Sequence, residues 1–263
     1  MTQSFDFGDN WREFSANKVD PGRLDAAIAS LRATLGPEGI RGRSFLDVGC
    51  GSGLFSIAAT RLGAADVVAF DLSPRSIIAS RENQQRLAPD LSPATGPRFV
   101  EGDILDDAFA EGLGTFDVVY AWGSLHHTGR MWSAIDGAAA RVADPGTLVL
   151  AIYNAHWSSS AWKQVKRLYN RAPRPFQLLM RYAFGAAIYI GLWLSTGQNP
   201  TRKERGMDFW YDVIDWLGGY PYEYARVGEI EEHLGRRGLR LEQLRRPRTG
   251  TGCNEYVFRR RSA

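Results

Sequence analysis

Only two of the 263 residues are cysteine, Cys50 and Cys253, and only four are histidine. Two isolated thiols build no disulfide framework, and neither sits in a paired metal-ligand spacing. The adjacent pair His126-His127 is poor ligand geometry, so no metal is expected. A reducing, cytoplasmic setting follows from the scarcity of cysteine. The opening MTQSFDFGDNWREF lacks the basic start and apolar run of a secretory signal. No internal repeat is present. An excess of one charge is also missing: 32 basic against 29 acidic residues leave +3. That is too little to argue for nucleic acid. The basic run Arg259-Arg260-Arg261 reads as a solvated tail.

The remaining composition, 44% apolar and 23% charged, suits one α/β domain with an elaboration. After a lead-in (1–43) with a helix over 21–35 ended by Gly36-Pro37, strand and helix signals alternate. Strands are expected at 44–48, 67–70, 98–101 and 116–121. Helices are expected at 53–62, 74–86 and 130–142. Asp144-Pro145-Gly146 reads as a turn into a strand over 147–154. This alternation implies crossover units and a parallel sheet covered on both faces. The pattern breaks over 155–220, an aromatic-rich and basic stretch without strand-like runs, read as a helical lid insertion. The final segment, 221–263, is expected to complete the sheet. It holds a helix over 227–238, then strands at 239–244 and 253–258 joined through Thr249-Gly250-Thr251-Gly252 as an antiparallel hairpin.

Leu46-Asp47-Val48-Gly49-Cys50-Gly51-Ser52-Gly53 follows a strand and opens a helix. Glycines there let the chain turn sharply and let a ligand approach the backbone. The spacing is G-x-G-x-G, not the G-x-G-x-x-G of dinucleotide binders. Asp71, about 20 residues on, ends the second strand, where a carboxylate can accept two ribose hydroxyls. Asp103 ends the third. All fall at the carboxyl edge of neighbouring strands, where open α/β sheets bind ligands.

In order, LDVGCGSG, VVAFDLS, VEGDIL, FDVVYAWGSLHHT and DPGTLVLAIYN resemble the successive motifs of class I S-adenosylmethionine-dependent methyltransferases. The resemblance covers 44–154 closely, and the helix and hairpin over 227–258 look like that family's reversed end. It implies a Rossmann-like, mostly parallel seven-stranded sheet and S-adenosyl-L-methionine as cofactor. It further implies that Asp47, Gly49, Gly51 and Gly53 hold the methionine end of that cofactor. Asp71, with Leu72 beside it, takes the ribose; Asp103 and Ile104 face the adenine; Ala121 and Trp122 border the methyl region. The lead-in residues Phe5 to Gly8 and Trp11 are expected to fold over it. Cys50 reads as a small buried filler.

Such an enzyme needs an aligned acceptor, a dry site and, for a hydroxyl acceptor, a general base. His126 and His127 are the base candidates, on an unperturbed pKa near 6.5. Tyr153 and Asn154, ending the fifth strand, are expected in the same cleft. Where the family's amino-methylating nucleic-acid enzymes carry Asn/Asp-Pro-Pro-Tyr/Phe, this chain reads Ala121-Trp122-Gly123-Ser124, which disfavours base methylation. A small, partly apolar acceptor methylated on oxygen is the preferred expectation, against a protein or RNA acceptor or a non-catalytic binder. Arg205, Trp210 and Tyr220 in the lid are further substrate candidates, Arg205 for an acidic group. The nearly continuous apolar run 176–194 reads first as a buried lid helix, second as a membrane-surface contact that would make the protein peripheral, and last as a span, because Arg181 interrupts it. A homodimer face is a further reading of the same run.

Overall fold

Alternate residues along each central strand belong to opposite cores, and this sets the layering. The computed structural model describes residues 8, 12, 13, 15, 19–36, 38–92, 94–201, 209–247 and 252–260. The strands are β1 (Ser44–Val48), β2 (Asp66–Asp71), β3 (Arg98–Glu101), β4 (Phe116–Trp122), β5 (Val142–Tyr153), β6 (Leu239–Arg245) and β7 (Cys253–Arg260). They form one sheet in the order β3-β2-β1-β4-β5-β7-β6. The first five run parallel, and β7 pairs antiparallel with both β5 and β6. This is the expected sheet, reversed end included.

Phe45, Val67, Ala69, Val118, Tyr120 and Val149 face one helical layer. It is built from α1 (Pro21–Leu35), α2 (Leu54–Arg61) and α3 (Pro74–Leu87). Leu46, Val68, Phe70, Val119, Ala121, Leu148 and Leu150 face the other. That layer contains α4 (Asp107–Gly112), α5 (Met131–Ala140) and α9 (Val227–Gly235). A period of two with both faces apolar is what burial between two helical layers demands. The lead-in helix α1 starts well: Asp20 caps it by accepting from Arg23 N, and Pro21 opens it. It then buries Leu24, Ala27 and Leu31 against the sheet layer.

Three local expectations need correction. Helix α4 was not anticipated; Asp106 caps it by accepting from the amides of Ala108 and Phe109. The turn at Asp144-Pro145-Gly146 lies inside β5, where pairing with β4 jumps from Phe116–Val142 to Val118–Thr147. The proline is thus accommodated in an irregular stretch of the strand. Helix α9 also stops at Gly235, short of the expected 238.

The insertion contributes α6 (Ser159–Arg171), α7 (Arg174–Thr196) and α8 (Phe209–Gly218). They share a small core of their own around Tyr169, Met180, Phe209, Val213 and Leu217. The expectation of a buried lid helix fails for α7, since only Met180 and Gly185 are buried along its 23 residues. Among the described residues α6 and α8 pack against it, so one face packs and the other stays bare.

Candidate active site

The glycine loop follows β1, and Gly49, Gly51 and Gly53 all adopt left-handed backbone, at φ +73, +55 and +71°. Residues with a Cβ avoid that region. The loop is tied in from several sides. The amides of Gly49 and Cys50 donate to the Phe70 carbonyl at 2.9 and 3.0 Å. Ser80 Oγ donates to the Gly51 carbonyl at 3.0 Å, and Asn83 Nδ2 to the Ser52 carbonyl at 2.8 Å. From the end of β4, Ser124 Oγ donates to the Val48 carbonyl at 2.7 Å. Ser80, Asn83 and Ser124 were missed in the sequence. For the first two a signal existed: Ser76, Ser80 and Asn83 recur at helical spacing on a buried face of α3, where apolar residues would otherwise stand.

Three carboxylates end or underlie adjacent strands. Asp47 is buried in β1 and accepts the Ser56 hydroxyl at 2.6 Å. Burial pushes its carboxyl up to about 7, against the pull of Ser56 and with help from the charge of Asp71. Asp71 accepts from Gly51 N at 3.0 Å and Ser73 N at 2.9 Å. Burial raises its pKa too, opposed by those two amides. Asp103 Oδ1 accepts from Leu105 N at 2.9 Å. Leu72, beside Asp71, is exposed, while the Ile104 side chain is buried and packs into the main core. Ala121 is buried and Trp122 half-buried at the end of β4. Asp47 and Asp71, desolvated beside a glycine-rich loop, with Asp103 at the next strand end, fit a ligand with ribose hydroxyls and cationic ammonium and sulfonium groups. The expected cofactor therefore suits these residues. The lead-in residues Phe5, Asp6, Phe7 and Trp11 lie outside the described residues. Cys50, expected as a buried filler, is half-buried; desolvation and the nearby aspartates push its thiol well up, which disfavours the reactive thiolate.

Beyond β4 and β5 lies a cluster of rings. His126 packs on Tyr153 with centroids 4.2 Å apart and on His127 at 4.4 Å, and Tyr153 packs on Tyr222 at 5.0 Å. The three catalytic candidates thus meet. Their expected electrostatics need correction, however. Burial holds His127 down to about 3, aided by the Lys166 charge, and holds His126 well below its ordinary value. Both imidazoles are neutral at pH 7. His127 Nδ1 donates to the Pro221 carbonyl at 2.8 Å in that state, which places the lone pair on Nε2. Burial pushes the Tyr153 phenol well up, so it remains a proton donor.

The group the sequence did not reveal is Lys166 on α6. It is 2% exposed, and Nζ lies 5.6 Å from the Tyr153 ring centre and 4.9 Å from that of Tyr222. It donates to the Trp216 carbonyl at 2.5 Å. Burial lowers its pKa to about 7, against the opposing charges of Asp215 and Cys253. In the sequence it is one of several basic residues in a polar helix; only the packing of α6 on the strand ends distinguishes it.

The remaining substrate candidates scatter. Asn154 sits beside the cluster, and its Oδ1 accepts from Asn254 Nδ2 at 3.0 Å. Tyr220 is buried, and its hydroxyl accepts from Arg167 Nε at 2.9 Å. Trp210 packs on the insertion instead, against Gly185 and Tyr182 of α7, because Gly185 leaves a gap that the indole fills. Arg205 lies outside the described residues.

A methyltransferase-domain family model matches residues 22–215. Among solved structures, magnesium protoporphyrin IX methyltransferase from Synechocystis PCC 6803, with bound SAH, superposes with a TM-score of 0.57 at 17% identity, covering 97% of this chain and 94% of that one. A Burkholderia thailandensis 1,6-didemethyltoxoflavin-N1-methyltransferase superposes with a TM-score of 0.50 at 17% identity, over 92% and 80%. Ribosomal protein L11 methyltransferase of Pectobacterium carotovorum subsp. carotovorum (strain PC1) is 33% identical over 129 residues, 45% of this chain and 44% of that protein. The chain thus spans less than half the length of the curated relatives it matches. With the motifs in order, the loop and carboxylates in place and the family model covering most of the chain, this protein belongs to the class I S-adenosylmethionine-dependent methyltransferases.

Proposed function

We propose that the protein methylates a hydroxyl oxygen of a small, partly apolar molecule, using S-adenosyl-L-methionine. The observation that carries the reading is the ring cluster at the ends of β4 and β5, where Lys166 stands over Tyr153 and Tyr222. When bound, the cofactor supplies an electrophilic methyl group on a sulfonium. Gly49, Gly51 and Gly53 with Asp47 and Asp71 would hold it, and Asp103 would meet the adenine. The chain's own task is to orient the acceptor, exclude water and take its proton.

The aromatic walls formed by Tyr153 and Tyr222 suit a flat or apolar acceptor. The Tyr153 phenol, kept protonated by burial, orients the acceptor by donating a hydrogen bond. Among the basic groups of the cluster, Lys166 is the one whose pKa, about 7, matches neutral operation, the condition for an effective general base. His126 and His127, held neutral, serve as wall and acceptor-orienting groups. Two similar structures are named for methyltransferases of magnesium protoporphyrin IX and, at N1, of 1,6-didemethyltoxoflavin, which supports a small acceptor and says nothing of its oxygen. Incubation with methyl-labelled S-adenosylmethionine and fractionated extracts tests it. Label should enter the organic-extractable small-molecule fraction. Label in protein or RNA instead would replace the acceptor class, and failure of the folded chain to bind the cofactor in calorimetry would sink the reading.

A further inference from the structure

From Pro145 to Lys203 the chain carries eight lysines and arginines and not one aspartate or glutamate. Helix α7 runs through this stretch. Its 18-residue apolar window has mean hydropathy 1.4 and is only 11% buried. Phe176, Leu179, Tyr182, Ile190, Trp193 and Leu194 are exposed along it. Their spacing puts them on one side, opposite Met180, Phe184, Ile188 and Leu192, which pack with the core of the insertion. Arg181 is turned to that packed side, where Nε donates to the Tyr169 hydroxyl at 2.5 Å. The bare face is therefore wholly apolar, and Arg171 and Arg174 stand exposed at its leading end.

We propose that α7 lies flat on an anionic lipid surface, its bare face inserted at the headgroup boundary and the surrounding basic residues against the headgroups. The charge pattern chooses the occupant. Of the eight basic residues Lys166 is buried and Arg181 is turned to the packed side; the other six, with no acidic residue among them in the sequence, repel a second copy across a twofold contact, whereas an anionic leaflet attracts them. Apolar insertion supplies the second of the two signals that stable peripheral attachment needs. A transmembrane placement would strip Met180, Phe184 and Ile188 from Phe209 and Val213, and would carry Arg181 into hydrocarbon. The inference is independent of the acceptor and of the cofactor.

Co-sedimentation of the full chain with vesicles tests it, comparing phosphatidylglycerol with phosphatidylcholine at low and high salt. The chain should pellet with the anionic vesicles and be released by salt. L179E/W193E, shown to be folded by circular dichroism and an unchanged melting profile, should bind them roughly tenfold or more weakly, because two inserting side chains are replaced by carboxylates. Equal binding by this variant and the wild type would overturn the proposal. So would absence of binding to either vesicle. A wild-type dimer that L179E/W193E dissociates, with no vesicle binding, would assign the face to a second copy.

Discussion

Ser124 fills the space that a side chain at Gly49 would occupy: a Cβ built on Gly49 would lie 2.5 Å from Ser124 Cβ. The same serine donates to the Val48 carbonyl, so the end of β4 and the glycine loop are locked together. The absence of a side chain at Gly49 serves the protein's own packing as well as any ligand. Gly53 is similar, since its Cβ would meet Ser80 and Phe99 at 2.7 and 2.8 Å.

Gly49→Ala should therefore fail for two reasons, a left-handed φ and a collision. Together these cost about 2–4 kcal/mol, read as a lower midpoint in urea unfolding, with cofactor binding lost. Adding Ser124→Gly removes the collision but not the strain, so the double variant should regain part of the stability. Full recovery would show that strain is negligible there.

Asp47 should make stability and cofactor affinity respond to pH in opposite directions. Its folded-state pKa is raised, from 3.8 to about 7, so the folded chain holds a proton that the unfolded chain releases. Stability on this account falls as pH rises from about 4 to about 7, by up to roughly 1.4 kcal/mol per pH unit. Asp47→Asn lacks that loss and should gain on the wild type across this window in thermal melts. An ionised Asp47 meanwhile favours the cofactor's ammonium. Wild-type affinity should fall below pH 7, and Asp47→Asn should bind weakly at every pH in calorimetry.

For Lys166 the sign reverses. Its folded pKa is lowered from 10.5 to about 7, so the unfolded chain binds the extra proton between those values. Wild-type stability should rise relative to Lys166→Met as pH climbs from about 7 towards 10. In turnover, kcat should rise with pH through about 7 and level off. Lys166→Met should lower kcat by roughly 10²–10⁴ and abolish that inflection. An unchanged pH profile in the variant would return the proton to another group. His127, held at about 3, would not generate an inflection near neutrality.

Most of the sheet was legible because its strands repeat every two residues and its helices carry their own start and stop signals. Pro21, Pro74 and the strand-end glycines act locally, within reach of a sequence reading. Asp71 and Asp103 were legible for the same reason, standing where strands end. Helix α4 escaped because it is a single capped turn and a half with little apolar periodicity. The seat of Trp210 was not legible because composition records that an indole is present, not which neighbour has a gap for it. Here the gap is Gly185, reached only when α7 and α8 cross.

The sequence by itself determined the order of strands and helices, the glycine loop with its carboxylates, and the presence of one helix too apolar for its surroundings. These depend on local backbone preference and on periodicity, which short segments carry within themselves. The tertiary structure alone decided which side of that helix stays bare, and that Lys166 joins the histidines and tyrosines at the strand ends. It also decided how far burial moves each of their charges. Desolvation depends on everything packed around a group, and residues distant in the chain supply most of it.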